Sequence, residues 1–224
     1  MSKELKPFEI ILLGAPASGK GTQVELLTKT LGIPHISTGA LLSKIKNDPS
    51  HELGREIAQI MNRGGFVPDN IVNSILLKRL QESDCRFGFV LEGYPRTLKQ
   101  AEFLADKTDI DFVFLIDVPD IVAVRRIAGR RICPNGHSFH IEYAPSKKGE
   151  ICDVCGEKLS QRDDDTEEVI RARLDLFHKE SAPIIEFYRK KGLLHTINGD
   201  ASIDQVFQGI VKEIVWDLRR KLMY

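Results

Sequence analysis

Gly14, Ala15, Pro16, Ala17, Ser18, Gly19, Lys20, Gly21 and Thr22 form a glycine-spaced loop that directly follows an apolar run. Gly14 through Lys20 fits G-x-x-x-x-G-K, and the residues that follow carry a helical pattern. This arrangement binds phosphate. Glycines let backbone N–H groups approach phosphate oxygens, a helix N-terminus adds its positive end, and Lys20 reaches the β- and γ-phosphates. A second chemical cluster lies between positions 130 and 165, which hold three of the four cysteines and two of the six histidines. Cys152 and Cys155 form a C-x-x-C knuckle suited to tetrahedral zinc, and Cys133 stands upstream where a second knuckle belongs. Four cysteines in a chain of 224 residues make no disulfide scaffold, and clustered cysteines in a reducing compartment point to metal. Cys85, alone before an apolar run, reads as a small buried hydrophobe.

Strands alternating with helices must position these groups. Short apolar runs at 8–14, 88–93, 112–118 and 193–198, with a weaker one at 34–37, predict four or five strands. Between and after them come amphipathic stretches: GKGTQVELLTKTLG, DNIVNSILLKRLQES, DIVAVRRIAGR, EEVIRARLDLFHKESAPIIEFYRKKG and SIDQVFQGIVKEIVWDLRRKL. Near-continuous apolar strands in such alternation imply an α/β fold, a parallel sheet covered by helices on both faces. Two segments break the rhythm and read as insertions: 38–68, with short helices and no strand, and the cysteine stretch 131–163.

The chain is long enough for one main domain with small insertions. Lys plus Arg and Asp plus Glu both number 32, so no global field favours nucleic acid or an anionic membrane. No apolar run approaches the length of a membrane span, and the N-terminal run lacks the cleavage pattern of a signal peptide. The expectation is a soluble, cytoplasmic protein.

GAPASGKGTQ, STG at 37–39, VLEGYPRTLKQ at 90–100, RIAGRR at 126–131 and QRDDDTEEVIRARL at 161–174 resemble, in order and spacing, an adenylate kinase of the long-lid type. The resemblance covers roughly positions 8–210. It implies a five-stranded P-loop core from 1–37, 69–130 and 164–224, a nucleoside-monophosphate-binding insertion at 38–68 and a lid at 131–163. It further implies transfer from MgATP to AMP by a monomer that binds small nucleotides and neither nucleic acid nor membrane. Arg126 and Arg130 would serve ATP with the loop, Arg126 also lying over its adenine. Arg96 and Arg173 would grip the acceptor phosphate, and Arg130 and Arg162 the transferring group, so that Lys20, Arg96, Arg130, Arg162 and Arg173 form the catalytic set. The fork geometry and fixed charge of arginine suit that task. Thr38, Gly64, Gly65, Phe66, Val67, Gly93 and Gln100 would complete the AMP site, with Arg162 reaching it as well.

Departures from the family pattern carry their own expectations. Thr22 lies one place later than the hydroxyl of most phosphate loops, as in nucleoside monophosphate kinases. Glu92 stands where the family has an aspartate that holds magnesium through water, and its extra methylene moves the carboxylate by about a bond length. Asp163, Asp164 and Asp165 read as a solvated run or a helix start, with Asp164 at an acidic family position near the phosphates. The first knuckle reads CPNGH, with Gly136 at the family's cysteine position, so His137 becomes the expected fourth ligand of a structural zinc and His140 the competitor. Two other functions are consistent with the same residues: a kinase for a different nucleoside monophosphate, and a zinc-ribbon ATPase that binds nucleic acid. The latter requires a basic, aromatic patch near the knuckles.

Overall fold

The computed structural model describes residues 8–63, 65, 67–161 and 165–222. Five parallel strands form the central sheet: β1 (Phe8–Gly14), β2 (His35–Ser37), β3 (Gly88–Glu92), β4 (Phe112–Asp117) and a last strand, Leu194–Asn198. They lie in the order β2, β3, β1, β4 and then that last strand, so β1 is central. Alternation along each strand feeds two cores. Ile11, Leu13, Ile36, Leu91, Val113 and Leu115 fall in one apolar cluster; Ile10, Leu12, Val90, Phe112, Phe114 and Ile116 fall in the other. Burying each such side chain stabilises the fold by about 1.5–3 kcal/mol.

Helices cover both faces. Val24 and Leu27 of α1 (Lys20–Leu31) join the second core, as do Val206, Ile210 and Ile214 of the C-terminal helix Ile203–Leu222. The first core receives α2 (Thr38–Lys46), α3 (Gly54–Asn62), α4 (Asp69–Leu80) and α5 (Leu98–Ala105). α5 has no counterpart among the expected helices: its eight residues are too few for a periodic pattern to stand out. α6 (Asp120–Ala128) then leads into the cysteine stretch, which holds an antiparallel pair, β5 (Arg130–Ile132) and β6 (Ser138–His140). Ile132 and Ser160 bond each other in both directions, drawing the two ends of the excursion together. α7 (Glu167–Lys190) runs on through Pro183 and delivers the chain to β7 (Leu194–Asn198), after which α8 (Ile203–Leu222) closes the fold. Ile184 and Tyr188, just beyond that proline, are fully buried in the first core. Tertiary packing of this kind outweighs one lost helical hydrogen bond. Among the described residues no helix is long and apolar enough to cross a membrane.

Candidate active site

The carboxyl ends of β1, β2 and β3 place the chemical groups side by side, where open α/β sheets bind ligands. Gly14 ends β1 with φ at 153°, and a Cβ there would lie 2.5 Å from Ser18 Oγ and 2.7 Å from the Ile116 carbonyl oxygen. Only glycine fits the turn. Ala17 is held at φ 59°, a left-handed conformation that costs a non-glycine residue about 1–2 kcal/mol. The loop thus keeps a conformation its sequence would not choose locally, and it passes into α1 at Gly19.

Lys20 folds back over this loop, donating from Nζ to the carbonyl oxygens of Gly14 and Ala15 at 2.7 Å each. Burial pulls its pKa down from 10.5 to about 8, with Glu92 opposing the shift and Arg96 and Arg173 adding to it. Four groups from α1, the end of β3, the following loop and α7 therefore share one electrostatic neighbourhood. Burial also lowers the pKa of Arg96, whose Nε donates to the Gly93 carbonyl at 2.8 Å. Glu92 lies at the β3 terminus 3.0 Å from His35 Nε2; that hydrogen bond, reinforced by Lys20 and Arg96, holds its carboxyl below the usual range.

The expected acceptor residues gather nearby. Thr38, buried at the start of α2, donates its hydroxyl to the Gly93 carbonyl at 2.9 Å. A Cβ at Gly93 would meet Arg96 Nη2 and Thr38 Oγ1 at 3.3 and 3.4 Å. Gln100 on α5 accepts the Arg96 backbone N–H at 2.7 Å. Val67 is buried in the first core and Gly65 is exposed against Ile60. Gly64, Phe66, Arg162 and Asp164 lie outside the described residues.

On the other side of the loop, Arg126 donates to the carbonyl oxygens of Ser18 (3.3 Å) and Gly199 (2.8 Å), with its guanidinium carbon 5.5 Å from the Tyr143 ring centre. Arg130 forks onto the carboxylate of Asp165, which is 6% exposed, with Nε donating at 3.1 Å. The solvated-run reading therefore fails at Asp165: the guanidinium supplies the charge partner that a buried carboxylate requires.

Cys133, His137, Cys152 and Cys155 place their ligand atoms within 4.8 Å of one another. His137 Nδ1 lies 3.3 Å from Cys133 Sγ and 3.5 Å from Cys152 Sγ, and Cys155 Sγ lies 3.6 Å from Cys133 Sγ. A tetrahedral zinc with bonds of about 2.0–2.3 Å requires donor separations of about 3.5–3.8 Å, so the donor set fits. His140 is occupied elsewhere. Its Nδ1 accepts the N–H groups of Glu142 and Tyr143, and its Nε2 packs so tightly on Gly129 that an added Cβ would lie 2.4 Å away. Cys85 is buried, as expected, although Arg79 Nη1 also reaches its sulfur at 2.9 Å.

With this geometry in place, comparison with known proteins is informative. The family model described as adenylate kinase matches residues 12–193. The chain belongs to the adenylate kinase family. It is 47% identical to the adenylate kinase of Caldicellulosiruptor saccharolyticus over 214 residues, covering 92% of this chain and 99% of that relative. Against the adenylate kinase of Thermotoga petrophila it is 42% identical over 213 residues, covering 92% and 97%. Against that of Clostridium kluyveri the identity is 44% over 207 residues, covering 90% and 95%. The five-stranded parallel sheet and its phosphate loop accord with the adenylate kinase fold, and this kinase is a nucleoside monophosphate kinase.

Several residues around the site escaped sequence reasoning. His35 meets Glu92 only because β2 lies beside β3. Asp69 and Thr97 brace Gln100, and Tyr143 lies beside Arg126. The one local signal was Thr97, three residues before Gln100 and placed as a helix N-cap.

Proposed function

We propose that this kinase carries the terminal phosphoryl group of MgATP directly to AMP, giving two ADP, in line and without a phosphoenzyme. The observation that carries the reading is the convergence on Lys20 of Glu92, Arg96 and Arg173 around a phosphate loop. Phosphoryl transfer needs positioning and charge neutralisation more than covalent help. Lys20 would exchange the Gly14 and Ala15 carbonyls for phosphate oxygens, with the loop N–H groups holding the donor. Arg96 and Arg173 would hold the acceptor phosphate, Arg130 and Arg162 the moving group, and Arg126 the donor's adenine side. Glu92 would order water on the magnesium that arrives with ATP. The insertion 38–68 would close on AMP with Thr38, Gly65, Val67, Gly93 and Gln100, while 131–163 would close over ATP and exclude water. The proposal includes a monomer working in the cytoplasm. A coupled assay of ADP formation from ATP with AMP, CMP, UMP and GMP in turn tests the acceptor, and turnover should be fastest with AMP by at least tenfold. Equal or faster turnover with another monophosphate would reassign the substrate.

The same proposal assigns structural zinc to Cys133, His137, Cys152 and Cys155. Four protein ligands leave no open coordination position, so the metal supplies lid stability and no chemistry. Metal analysis of protein purified without added metal should find zinc near one per chain. Cys152→Ala should lower the melting temperature by several degrees while activity persists at low temperature. Absence of stoichiometric metal would remove the assignment.

A further inference from the structure

The Gln100 amide is gripped from two sides. Gln100 is 4% exposed; its Oε1 accepts the Arg96 backbone N–H at 2.7 Å, and its Nε2 donates to Asp69 Oδ1 at 2.7 Å. The second oxygen of Asp69 accepts the Thr97 hydroxyl proton at 2.9 Å, while Thr97 Oγ1 accepts the Gln100 backbone N–H at 3.1 Å. One partner can only donate, and the other, the Asp69 carboxylate, accepts through both of its oxygens. An amide turned by 180° would set oxygen against carboxylate and NH₂ against N–H, and both contacts would become repulsive. Gln100 therefore has one orientation in this setting. Each end of the amide keeps one unused valence: a lone pair on Oε1 and an N–H on Nε2, side by side in a fixed sense.

We propose that Asp69, braced by Thr97 and acting with the Arg96 backbone N–H, fixes the sense of the Gln100 amide and so makes the acceptor site choose adenine over guanine. The proposal rests on the reading that Gln100 meets the acceptor's base. Adenine offers an amino donor at C6 beside an acceptor at N1. Guanine offers an acceptor at C6 beside a donor at N1, the reverse polarity. An unrestrained glutamine amide matches either base by turning over, and so discriminates little. A locked amide pairs with one and opposes the other, which is specificity built from repulsion as well as attraction. Asp69 acts here as a positioning residue, through Gln100.

The test is Asp69→Asn, whose side chain can donate or accept and so leaves only the Arg96 N–H to oppose the turned amide. Asp69→Ser, smaller and equally ambivalent, is the second variant, and thermal melts establish that each is folded. The kcat/KM for AMP and for GMP, with KM for ATP alongside, is compared with the wild type and with Gln100→Ala. The GMP-to-AMP ratio should rise roughly tenfold in both Asp69 variants, mainly through KM for the monophosphate, while KM for ATP stays put. A purely structural role for Asp69 would depress both monophosphates together and leave the ratio unchanged. If that ratio holds in both Asp69 variants while Gln100→Ala weakens AMP, the base contact stands and Asp69 does not set the sense of the amide, which overturns the proposal. If Gln100→Ala leaves KM for AMP at its wild-type value, Gln100 does not meet the base, and the reading beneath the proposal falls with it.

Discussion

Lys20→Ala should lower kcat by about 10²–10³-fold while leaving the fold intact, because a preorganised charge aimed at developing phosphate charge is worth that much. The fold should survive because Lys20 Nζ bonds within its own loop, to the Gly14 and Ala15 carbonyls and the Ser18 hydroxyl. The wild type carries an internal check. Burial brings the Lys20 pKa down to about 8, so the ammonium form prevails below that pH and the neutral amine above it. Phosphate favours the ammonium form. Binding above pH 8 must therefore take up a proton, and ATP affinity should fall with rising pH by up to about tenfold per unit, the linkage limit for one proton. In Lys20→Ala that slope should vanish. Calorimetric titration of ATP between pH 7 and 9.5 measures both, and an equal slope in the two proteins would mean that another group titrates. Near-normal turnover in Lys20→Ala would refute the site.

Ser43→Arg should tighten AMP by roughly 10- to 100-fold, the worth of one charge-assisted hydrogen bond of about 1.5–3 kcal/mol, while KM for ATP holds. The motif at 37–44 reads STGALLSK, with Ala40 and Ser43 where the resembling family has an acid and a phosphate-binding arginine. α2 places Leu41, Leu42 and Ile45 against the core, while Lys44 is exposed and Lys46 half-buried. Lys44 is turned by about 100° from Ser43 and Lys46 lies almost a full turn on, so either could stand in for the arginine only through its long flexible stem. The wild type should accordingly show a weak KM for AMP beside an ordinary KM for ATP. Steady-state kinetics on both proteins decide it. A tight wild-type value with no gain in Ser43→Arg would mean that another residue already fills the place.

What could be read in advance follows the range of the interactions. The strand FEIILLG and the loop GAPASGKGT are local patterns, and local geometry needs only neighbours: alternation feeds two cores and a glycine permits a turn. The cluster of Cys133, His137, Cys152 and Cys155 was legible for the same reason, since knuckle spacing is short; that His137 joins it while His140 packs on Gly129 needed coordinates. Pairings across long separations were not legible. His35 and Glu92 are 57 positions apart, Asp69 and Gln100 31, and each meeting depends on which strand lies beside which or how two helices start. Asp165 shows the cost of judging charge by density alone. Its two acidic neighbours disguised it as surface, whereas its carboxylate is buried against Arg130.

Arg130 and Asp165 are 35 positions apart, and with the mutual bonds of Ile132 and Ser160 they make a single doorway through which the chain leaves the core and returns. An excursion closed in this way is a graft. Neither the strand order of the sheet nor the starting point of α7 depends on how many residues lie between the doorposts, and loop-closure entropy grows only slowly with their number. Beyond the doorway, the placement of His140 on Gly129 and of Tyr143 beside Arg126 ties the graft to the core. Insertions, deletions and substitutions at 144–158 therefore leave Arg130 where it is. The stretch between those two pairs can therefore be rewritten with little consequence for the sheet, because its ends are pinned to each other and not to its interior.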